Sequence, residues 1–339
     1  SPNWEKILAY ADSHNIVPLV FEGCSKYASF SNSSEEIRKK YFEIAINKIS
    51  RQINRTQVFL DIYDKLCEAG IKPLVLKGFV CRSLYGELAD LRPSKDEDIY
   101  IKVGELERCR NVLEQNGFVM KPVKLTDELL STLSEIVFIH NSGFQLEVHI
   151  RLLRPINEVN IRMNSFFKDV FENCICNEIN GHKVYTMNHT KYYLYLFIHL
   201  YKHFIYCGIG IRQIVDLLLY GERYYEEIEW GIVERHINNL RAGRLYADIL
   251  RLGSKYFGIN LKCSYSSCLS HNTFNALIYD IMNAGVFGKA TLDRKFGANI
   301  TTSALKYGKV RFMDVIFPKK SSLMHKYKLS DINRRQTFL

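Results

Sequence analysis

The first seventy residues carry apolar side chains at the spacing of one long helix. Their steps of three, four or seven residues keep them on one helix face, because an α-helix turns every ~3.6 residues. They are Phe42, Ile46, Ile49, Ile53, Leu60, Tyr63 and Cys67. Ser33 followed by Glu36 has the spacing of a capping box at the helix start, and Gly70 is a natural stop. The pattern predicts a helical segment over residues 1–70.

After Gly70 the pattern changes to short apolar and alternating runs. Pro73-Leu74-Val75-Leu76 predicts a buried strand, and a helix-like stretch follows it to Tyr85-Gly86. Residues 98–103 alternate between polar and apolar side chains, as a half-buried strand does. A helix ending at Gly117 comes next, with apolar positions at Leu106, Cys109 and Leu113.

A hairpin and one further strand complete the middle of the chain. Residues 136–140 and 144–151 are β-like runs, and Asn141-Ser142-Gly143 between them has the composition of a turn. Residues 183–186 predict a last strand, and Asn188 is a plausible N-cap for the helical sequence that continues nearly to the end. The order predicts a helical segment (1–70), a small α/β unit (71–187) and a C-terminal helical domain (188–339).

Charge and cysteine usage narrow the class of protein. Lysine and arginine number 46 against 36 acidic residues, a formal net charge of +10. This surplus fits a polyanionic partner such as nucleotide, RNA or DNA, and equally fits a generally basic surface. The nine cysteines are scattered and complete no zinc pattern, which favours reduced, mostly buried thiols in a cytoplasmic protein.

Two features bear on membranes and on the tail of the chain. The opening Ser1-Pro2-Asn3-Trp4 leads directly into amphipathic sequence, so we expect no signal peptide. The apolar run between Lys191 and Lys202 is too short to span a bilayer. The end of the chain is basic, with Lys319, Lys320, Lys326, Lys328, Arg334 and Arg335.

Asp96 and Asp98 are the strongest local sign of chemistry. Two residues apart on a strand, their side chains point to the same side. Paired carboxylates suit a divalent cation, because Mg²⁺ prefers hard oxygen ligands and bridges to substrate phosphates. A polar loop that leads into a strand is the ordinary alternative.

A second strand carries an unusual polar row. Phe144, Leu146, Val148 and Ile150 alternate with Gln145, Glu147, His149 and Arg151. An antiparallel strand with one wet face would give the same alternation. Near the Asp pair, however, we interpret Glu147 as a third carboxylate of a metal site and His149 as a neighbour of substrate or metal.

Leu76-Lys77-Gly78 stands at a strand-to-helix turn. A helix N-terminus presents free N–H groups and the positive end of the helix dipole, which suits phosphate. Gly78 would allow close approach of the backbone, and Lys77 would add positive charge.

These motifs together resemble the DNA polymerase beta-like nucleotidyltransferase superfamily, and in particular its uncharacterised bacterial family. The matching segments, in order, are Leu76-Lys77-Gly78, Tyr85, Arg92, Asp96-Glu97-Asp98, Glu147-Val148-His149, Lys202-His203 and Gly210-Ile211-Arg212-Gln213-Ile214-Val215-Asp216-Leu217. The resemblance covers about residues 70–220. It departs from the superfamily pattern at Phe79, where a serine or glycine is usual, and at Glu97, where an apolar residue is common.

The resemblance implies an α+β fold with a small mixed-sheet nucleotidyltransferase core between helical segments. It implies metal-dependent transfer of an NMP group from an NTP such as ATP, with two Mg²⁺ or Mn²⁺ ions among Asp96, Asp98 and Glu147. Either Glu147 or His149 would serve as the general base. The implied nucleotide-binding residues are Lys77, Gly78, Arg92, His149, Lys202, His203 and Arg212.

The helical signature has two readings. His199 and His203 are four residues apart on one helix face, as are Arg212 and Asp216. The group is either a polar seam that packs the helices, or a wall for the nucleotide base or the acceptor. Burying these charges for packing alone is costly.

Three functions remain open from the sequence. The first is a metal-dependent nucleotidyltransferase with a small-molecule, protein or RNA acceptor. The second is a degenerate nucleotide- or RNA-binding module, suggested by Phe79 and Glu97. The third is a phosphodiesterase or phosphatase that uses the same carboxylates. The sequence leaves the oligomeric state open.

Overall fold

A computed structural model describes residues 2–121, 126–155, 158–206, 208–262 and 271–284. Its central feature is a seven-stranded mixed sheet in the order β3-β4-β5-β2-β1-β7-β6. The strands are β1 (Leu74–Val75), β2 (Asp96–Tyr100), β3 (Phe118–Met120), β4 (Glu135–His140), β5 (Gln145–His149), β6 (Ile175–Ile179) and β7 (His182–Thr186). Two neighbouring pairs, β2 with β5 and β1 with β7, are parallel. The predicted α+β fold with a mixed sheet is confirmed.

Helices precede, interrupt and follow the strands. They are α1 (Trp4–Ser13), α2 (Val17–Ser25), α3 (Ala28–Ser31), α4 (Glu35–Glu68), α5 (Gly78–Ser83), α6 (Leu106–Gln115), α7 (Asp127–Thr132), α8 (Glu158–Phe166), α9 (His189–Tyr206), α10 (Ile211–Arg223), α11 (Trp230–Asn239), α12 (Gly243–Leu252) and α13 (His271–Ala284). Short 3₁₀ segments occupy Gly86–Leu91, Val103–Glu105 and Tyr225–Glu227, and a π-helical turn spans Gly253–Phe257.

The long helix α4 ends as predicted but begins differently. Gly70 adopts φ +74°, and the Ile71 N–H donates to Leu66 O at 3.0 Å, which completes a Schellman cap. The predicted capping box at Ser33 is wrong. Ser34 is the N-cap residue and its side chain makes no capping hydrogen bond, while the Ser33 hydroxyl donates to Phe30 O.

The predicted apolar face of α4 is wrong over the first half of the helix. Phe42, Ile46 and Ile53 are 53%, 45% and 49% exposed. The buried positions are instead Tyr41, Ala45, Gln52, Phe59, Leu60, Ile62, Tyr63 and Leu66. Two apolar stripes run along this helix, and the residues packed against it decide which one is covered.

Several strand boundaries also differ from the sequence pattern. The strand β2 runs over Asp96–Tyr100 rather than 98–103, and it is not half-buried, because Glu97, Asp98 and Ile99 are all buried. The strands β3 and β6 have no clear alternation and were not predicted. The hairpin formed by β4 and β5 is confirmed, with Gly143 at φ +81° in its turn.

The chain forms two compact units. The first comprises Ser1–Leu8 and Ile16–Tyr192 and contains the whole sheet. In its core Phe59 of α4 packs on Phe79 with ring centroids 5.5 Å apart, and the Tyr63 hydroxyl donates to Pro73 O while it accepts the Tyr185 N–H. These contacts hold α4 against β1, β7 and α5.

The second unit comprises Ala9–Asn15 and the chain from Tyr193 onward. Its core contains a hydrogen bond of 2.9 Å between the hydroxyls of Tyr193 and Tyr246, and the Trp230 ring packs edge-on against Tyr193. The three-part division at 1–70, 71–187 and 188–339 stays a prediction.

Other sequence expectations concern the cysteines, the membrane and the tail. Cys24, Cys81 and Cys109 are buried, Cys67, Cys174 and Cys176 are more accessible, and none of these six cysteines forms a disulfide with another described residue. Burial therefore applies to three of the six cysteines within the described ranges. Among the helices of those ranges, none combines the length and the apolar character needed to cross a bilayer. The basic positions from Lys319 to Arg335 lie outside the described residues.

Candidate active site

The parallel pairing of β2 with β5 brings the predicted acidic residues onto neighbouring strands. Asp98 lies opposite Glu147, and Asp96 lies opposite Gln145. Residues directly opposite on paired strands project to the same face of a sheet. The sheet therefore joins the Asp-x-Asp strand to the Glu-x-His strand, which are separated by about fifty residues in sequence.

Asp98, Glu147 and His149 form a compact group of possible metal ligands. One side-chain ligand atom from each residue lies within 4.8 Å of the other two. The two carboxylates are hard oxygen donors of the kind that Mg²⁺ and Mn²⁺ prefer, and the imidazole lies beside them. In the part of the chain that the structure describes, this is the single group of three such residues.

Asp98 is the most enclosed member of the group, at 1% exposure. Its Oδ1 atom is 3.0 Å from Lys77 Nζ and 3.0 Å from His149 Nε2. Burial by itself acts to raise the pKa of Asp98, but the charge of Lys77 and the hydrogen bond from His149 hold it well below its usual range. Asp98 is therefore a permanently ionised carboxylate with two donors already attached.

Glu147 has the opposite electrostatics. Burial, followed by the charges of Asp98 and Asp96, raises its pKa from 4.5 to about 7. The Gln145 amide donates to its Oε1 atom at 2.9 Å. Burial and the neighbouring negative charges together make ionisation of Glu147 unfavourable, and a bound cation would offset that penalty.

Asp96 lies outside the three-ligand group. It is partly exposed at the start of β2. Its negative charge acts to raise the pKa values of Glu147 and Arg55. Its role as a metal ligand stays a prediction.

Arg92 and Tyr85, two other residues of the resemblance, contact each other. The Arg92 guanidinium lies 5.9 Å from the centre of the Tyr85 ring, and Arg92 is buried immediately before β2. A cation over an aromatic face is a stabilising arrangement. Its contact with nucleotide stays a prediction.

The Lys77-Gly78 turn joins β1 to α5. Gly78 is buried at φ +45°, and a Cβ atom there would lie 1.9 Å from Glu97 Oε2. The Phe79 N–H, at the start of α5, donates to the same oxygen at 2.7 Å. Within this turn Lys77 is the group that faces the carboxylates of the site.

Gly78→Ala is expected to destabilise the protein by about 2 kcal/mol or more, because the added methyl is strained at positive φ and overlaps Glu97. Urea unfolding measures the loss. Gly104→Ala is the matched control, since nothing lies within 4 Å of a Cβ atom at Gly104. Equal unfolding midpoints for the two variants would contradict the steric assignment.

The residues of the helical signature lie in the second unit. Lys202 and His203 are on α9, and Arg212 is in the first turn of α10. His203 Nε2 is 3.2 Å from His199 Nε2, which confirms that the two rings share a helix face. Nucleotide binding by Lys202, His203 and Arg212 stays a prediction.

Sequence reasoning missed two neighbours of the group. Glu135 lies opposite His149, with its Oε2 atom 4.0 Å from His149 Nδ1. Gln145 was seen as polar, but its hydrogen bond to Glu147 was not. The signal for Glu135 was available, because a hairpin closed at Asn141-Ser142-Gly143 determines which residue faces His149.

The mixed sheet thus presents two aspartates on β2 and Glu-x-His on its parallel neighbour β5. The chain belongs to the uncharacterised nucleotidyltransferase family, whose model matches residues 1–258. Its reaction is nucleotidyl transfer, with a nucleotide as donor substrate.

Two solved structures are similar to parts of the chain. One is the antibiotic-resistance factor ANT(2'')-Ia, with a TM-score of 0.37 and 13% identity over 59% of this chain and 98% of that one. The other is an antigenic nucleotidyltransferase-like protein from Paracoccidioides brasiliensis, with a TM-score of 0.35 and 15% identity over 64% of this chain and 95% of that one. No curated protein matches the sequence.

Proposed function

We propose that the protein transfers an NMP group from an NTP to an acceptor in a reaction that depends on Mg²⁺ or Mn²⁺. The observation that carries this proposal is the Asp98–Glu147–His149 group, in which Lys77 already contacts a carboxylate. The carboxylates supply hard oxygen ligands, and the lysine supplies a charge that a phosphate can use.

The residues fit a divalent ion. Burial, followed by the charges of Asp98 and Asp96, raises the pKa of Glu147 to about 7, and a cation at the group would offset both effects. Asp98 and Glu147 would hold the ion, with His149 as a further ligand or neighbour, and Asp96 would serve a second ion. A bound ion would polarise the α-phosphate and stabilise the leaving pyrophosphate.

The remaining chemistry belongs to the chain's own side chains. Lys77 and Arg92 neutralise phosphate charge. Glu147 or His149 accepts the proton of the acceptor hydroxyl. The acceptor oxygen forms a bond to the α-phosphorus, the bond to the β-phosphate oxygen breaks, and pyrophosphate leaves.

A nucleotide panel tests the proposal. Thermal unfolding is followed with ATP, GTP, CTP and UTP, with and without Mg²⁺, for the wild type, Asp98→Ala and the exposed control Asp61→Ala. A ligand at 100 times its Kd stabilises a protein by about 2.7 kcal/mol. We expect a Mg²⁺-dependent shift that Asp98→Ala loses and Asp61→Ala retains. No shift with any nucleotide would contradict the proposal.

The fate of the phosphates separates the three functions left open by the sequence. With an NTP labelled in the α-phosphate, a transferase attaches label to an acceptor and releases pyrophosphate. Release of inorganic phosphate would identify a phosphatase, and binding without any product would identify a degenerate module. Small molecules, proteins and RNA are offered as acceptors in separate arms.

Lys77→Ala is expected to change metal and nucleotide binding in opposite directions. Lys77 competes with a cation for Asp98, so its removal should raise Mn²⁺ affinity in the absence of nucleotide, while affinity for the NTP falls. Mn²⁺ titration and nucleotide thermal shifts measure the two effects. Lys72→Ala is the control, because Lys72 is exposed and lies over the Tyr185 ring. A parallel loss of both affinities would show that Lys77 only supports the fold.

A further inference from the structure

A network of buried polar and charged side chains lies behind the carboxylates of the active site. Glu97 stands between Asp96 and Asp98 in sequence, but it projects to the opposite face of β2 and is completely buried. Its Oε1 atom accepts hydrogen bonds from Arg82 Nη1 and from the Ser94 hydroxyl at 2.8 Å. Arg82 is equally enclosed, and it also donates to Ser94 Oγ at 2.7 Å.

The network extends to α4. The Ser94 N–H donates to Gln52 Oε1 at 2.6 Å, and Arg55 Nη1 donates to Ser94 O at 2.6 Å. Gln52 is buried on a helix face that is otherwise apolar. These bonds attach the segment that enters β2 to the 34-residue helix α4.

On its other side the network reaches the turn that carries Lys77. Glu97 Oε2 accepts the Phe79 N–H, and Gly78 leaves the space that the carboxylate occupies. The Leu76 N–H donates to Asp98 O at 3.0 Å. Glu97 and the backbone of Asp98 thus clamp both sides of Lys77. This clamp sets where Lys77 can meet Asp98.

Phe79 and Glu97, the two departures from the superfamily pattern, are therefore parts of one hydrogen-bonded arrangement. Phe79 supplies no hydroxyl, and its backbone N–H is used by the carboxylate of Glu97. The acidic residue within the Asp-x-Asp motif is not misplaced on the wet face, because Arg82, Ser94 and the turn satisfy it.

A buried ion pair such as Glu97–Arg82 is not expected to make the protein more stable than apolar side chains would. Replacing a buried ion pair with apolar side chains of similar volume is often neutral or stabilising, whereas removing one partner is costly. A pair of charges does, however, impose direction and distance on the backbone segments that carry it. The Glu97–Arg82 pair joins the two segments that hold Asp98 and Lys77.

We propose that Glu97 and Arg82 are positioning residues of the active site: they hold β2 so that Asp98 is aligned with Glu147 for the metal, and they hold the start of α5 so that Lys77 is placed for the nucleotide. This inference rests on the proposed function. It assigns to a buried ion pair a role in ligand binding rather than in folding.

The experiment measures stability and metal affinity separately in the full chain. Mn²⁺ alone is the probe, titrated by electron paramagnetic resonance, and thermal unfolding is followed in parallel. The variants are Glu97→Gln, the double variant Glu97→Met/Arg82→Met, and the control Glu114→Gln, which breaks an exposed Glu–Arg pair on α6.

Glu97→Gln is expected to lower both Tm and Mn²⁺ affinity. The double Met variant is expected to recover most of the lost Tm but to bind Mn²⁺ about 10–100-fold more weakly than the wild type, the usual loss when a residue that orients metal ligands is removed. The loss arises because Asp98 is no longer held in place beside Glu147, and it outweighs the gain from a looser contact between Lys77 and Asp98. Glu114→Gln should leave both quantities unchanged. A role in folding alone would not reduce Mn²⁺ affinity in a variant whose stability is restored.

Wild-type Mn²⁺ affinity in a folded double variant would overturn the inference and leave the proposed function intact. A wild-type protein that binds no Mn²⁺ would overturn both. If the double variant does not fold, Glu97→Asp decides the question, because it keeps the charge and shortens the reach to the Phe79 N–H. Weakened Mn²⁺ binding by that variant supports the inference, and unchanged binding overturns it.

Discussion

Asp98→Asn is expected to reduce nucleotidyl transfer by about a thousandfold, the rate equivalent of roughly 4 kcal/mol of lost transition-state stabilisation. The amide keeps the shape of the side chain but carries no charge for a cation. It also leaves the buried ends of Lys77 and His149, each 3.0 Å from Oδ1, without their carboxylate. Label transfer from an α-labelled NTP measures the loss.

The same substitution is expected to lower stability. Removing one partner of a buried charge pair costs about 3–5 kcal/mol, and the partial exposure of Lys77 reduces that to roughly 2–3 kcal/mol. Because the charge of Asp98 helps to raise the pKa of Glu147, its removal also relieves the repulsion on ionised Glu147, and the loss of stability should become smaller as the pH rises from 6 to 8. Asp61→Asn on the exposed face of α4 is the control. Near-normal transfer by Asp98→Asn would exclude Asp98 as a metal ligand.

Glu147→Gln is expected to stabilise the metal-free protein while it abolishes transfer. Burial and the charges of Asp98 and Asp96 make an ionised Glu147 unfavourable, and the amide removes that repulsion. At pH 8 in the presence of a chelator, we expect a gain of about 1–2 kcal/mol over the wild type. The variant should gain nothing from Mg²⁺, whereas the wild type should become markedly more stable.

The pH dependence of the stability gained by Glu147→Gln follows from the direction in which the pKa of Glu147 shifts. The pKa of Glu147 is raised from 4.5 in the unfolded chain to about 7 in the folded protein, so its contribution to stability is full below pH 4.5 and declines as the pH rises to 7. The advantage of Glu147→Gln should therefore appear between pH 4.5 and 7 and level off above it. Glu178→Gln, an exposed glutamate on β6, is the control for the substitution.

Metal binding should show the complementary pH dependence. A cation requires ionised Glu147, so Mg²⁺-induced stabilisation of the wild type should weaken as the pH falls below 7, by up to about tenfold in affinity per pH unit. Chelator titrations at pH 6 and pH 8 measure the difference. Equal metal affinity at both pH values, together with a Glu147→Gln variant that still responds to Mg²⁺, would remove Glu147 from the metal site.

The long helix shows how far a periodic pattern can be trusted. Its end at Gly70 follows from local chemistry, because glycine adopts positive φ at low cost. Its buried face does not, because Phe42 and Ile46 have the spacing of a core stripe and are nevertheless exposed. Periodicity shows that a helix has an apolar stripe, whereas the packed neighbours decide which stripe is covered.

The strands also have some features that follow from the local sequence and others that depend on pairing with distant segments. The alternation from Phe144 to Arg151 predicted which side chains of β5 share a face, because side chains on a strand alternate. The short strands β3 and β6 were missed, since each exists through its pairing with a neighbour. The predicted limits of β2 were wrong because a glutamate at position 97 does not indicate a buried strand position.

The sequence by itself determined the kinds of elements, the common face of Asp96 and Asp98, the polar row with Glu147 and His149, and the family to which these motifs belong. These are properties of residues close together along one element. Only the tertiary structure decided that β2 pairs with β5, that Glu97 turns away to meet Arg82, and that Glu147 has a pKa of about 7. Each of these depends on burial and on charges contributed by segments that are distant in sequence. The spacing of residues along the chain predicts neither burial nor those charges.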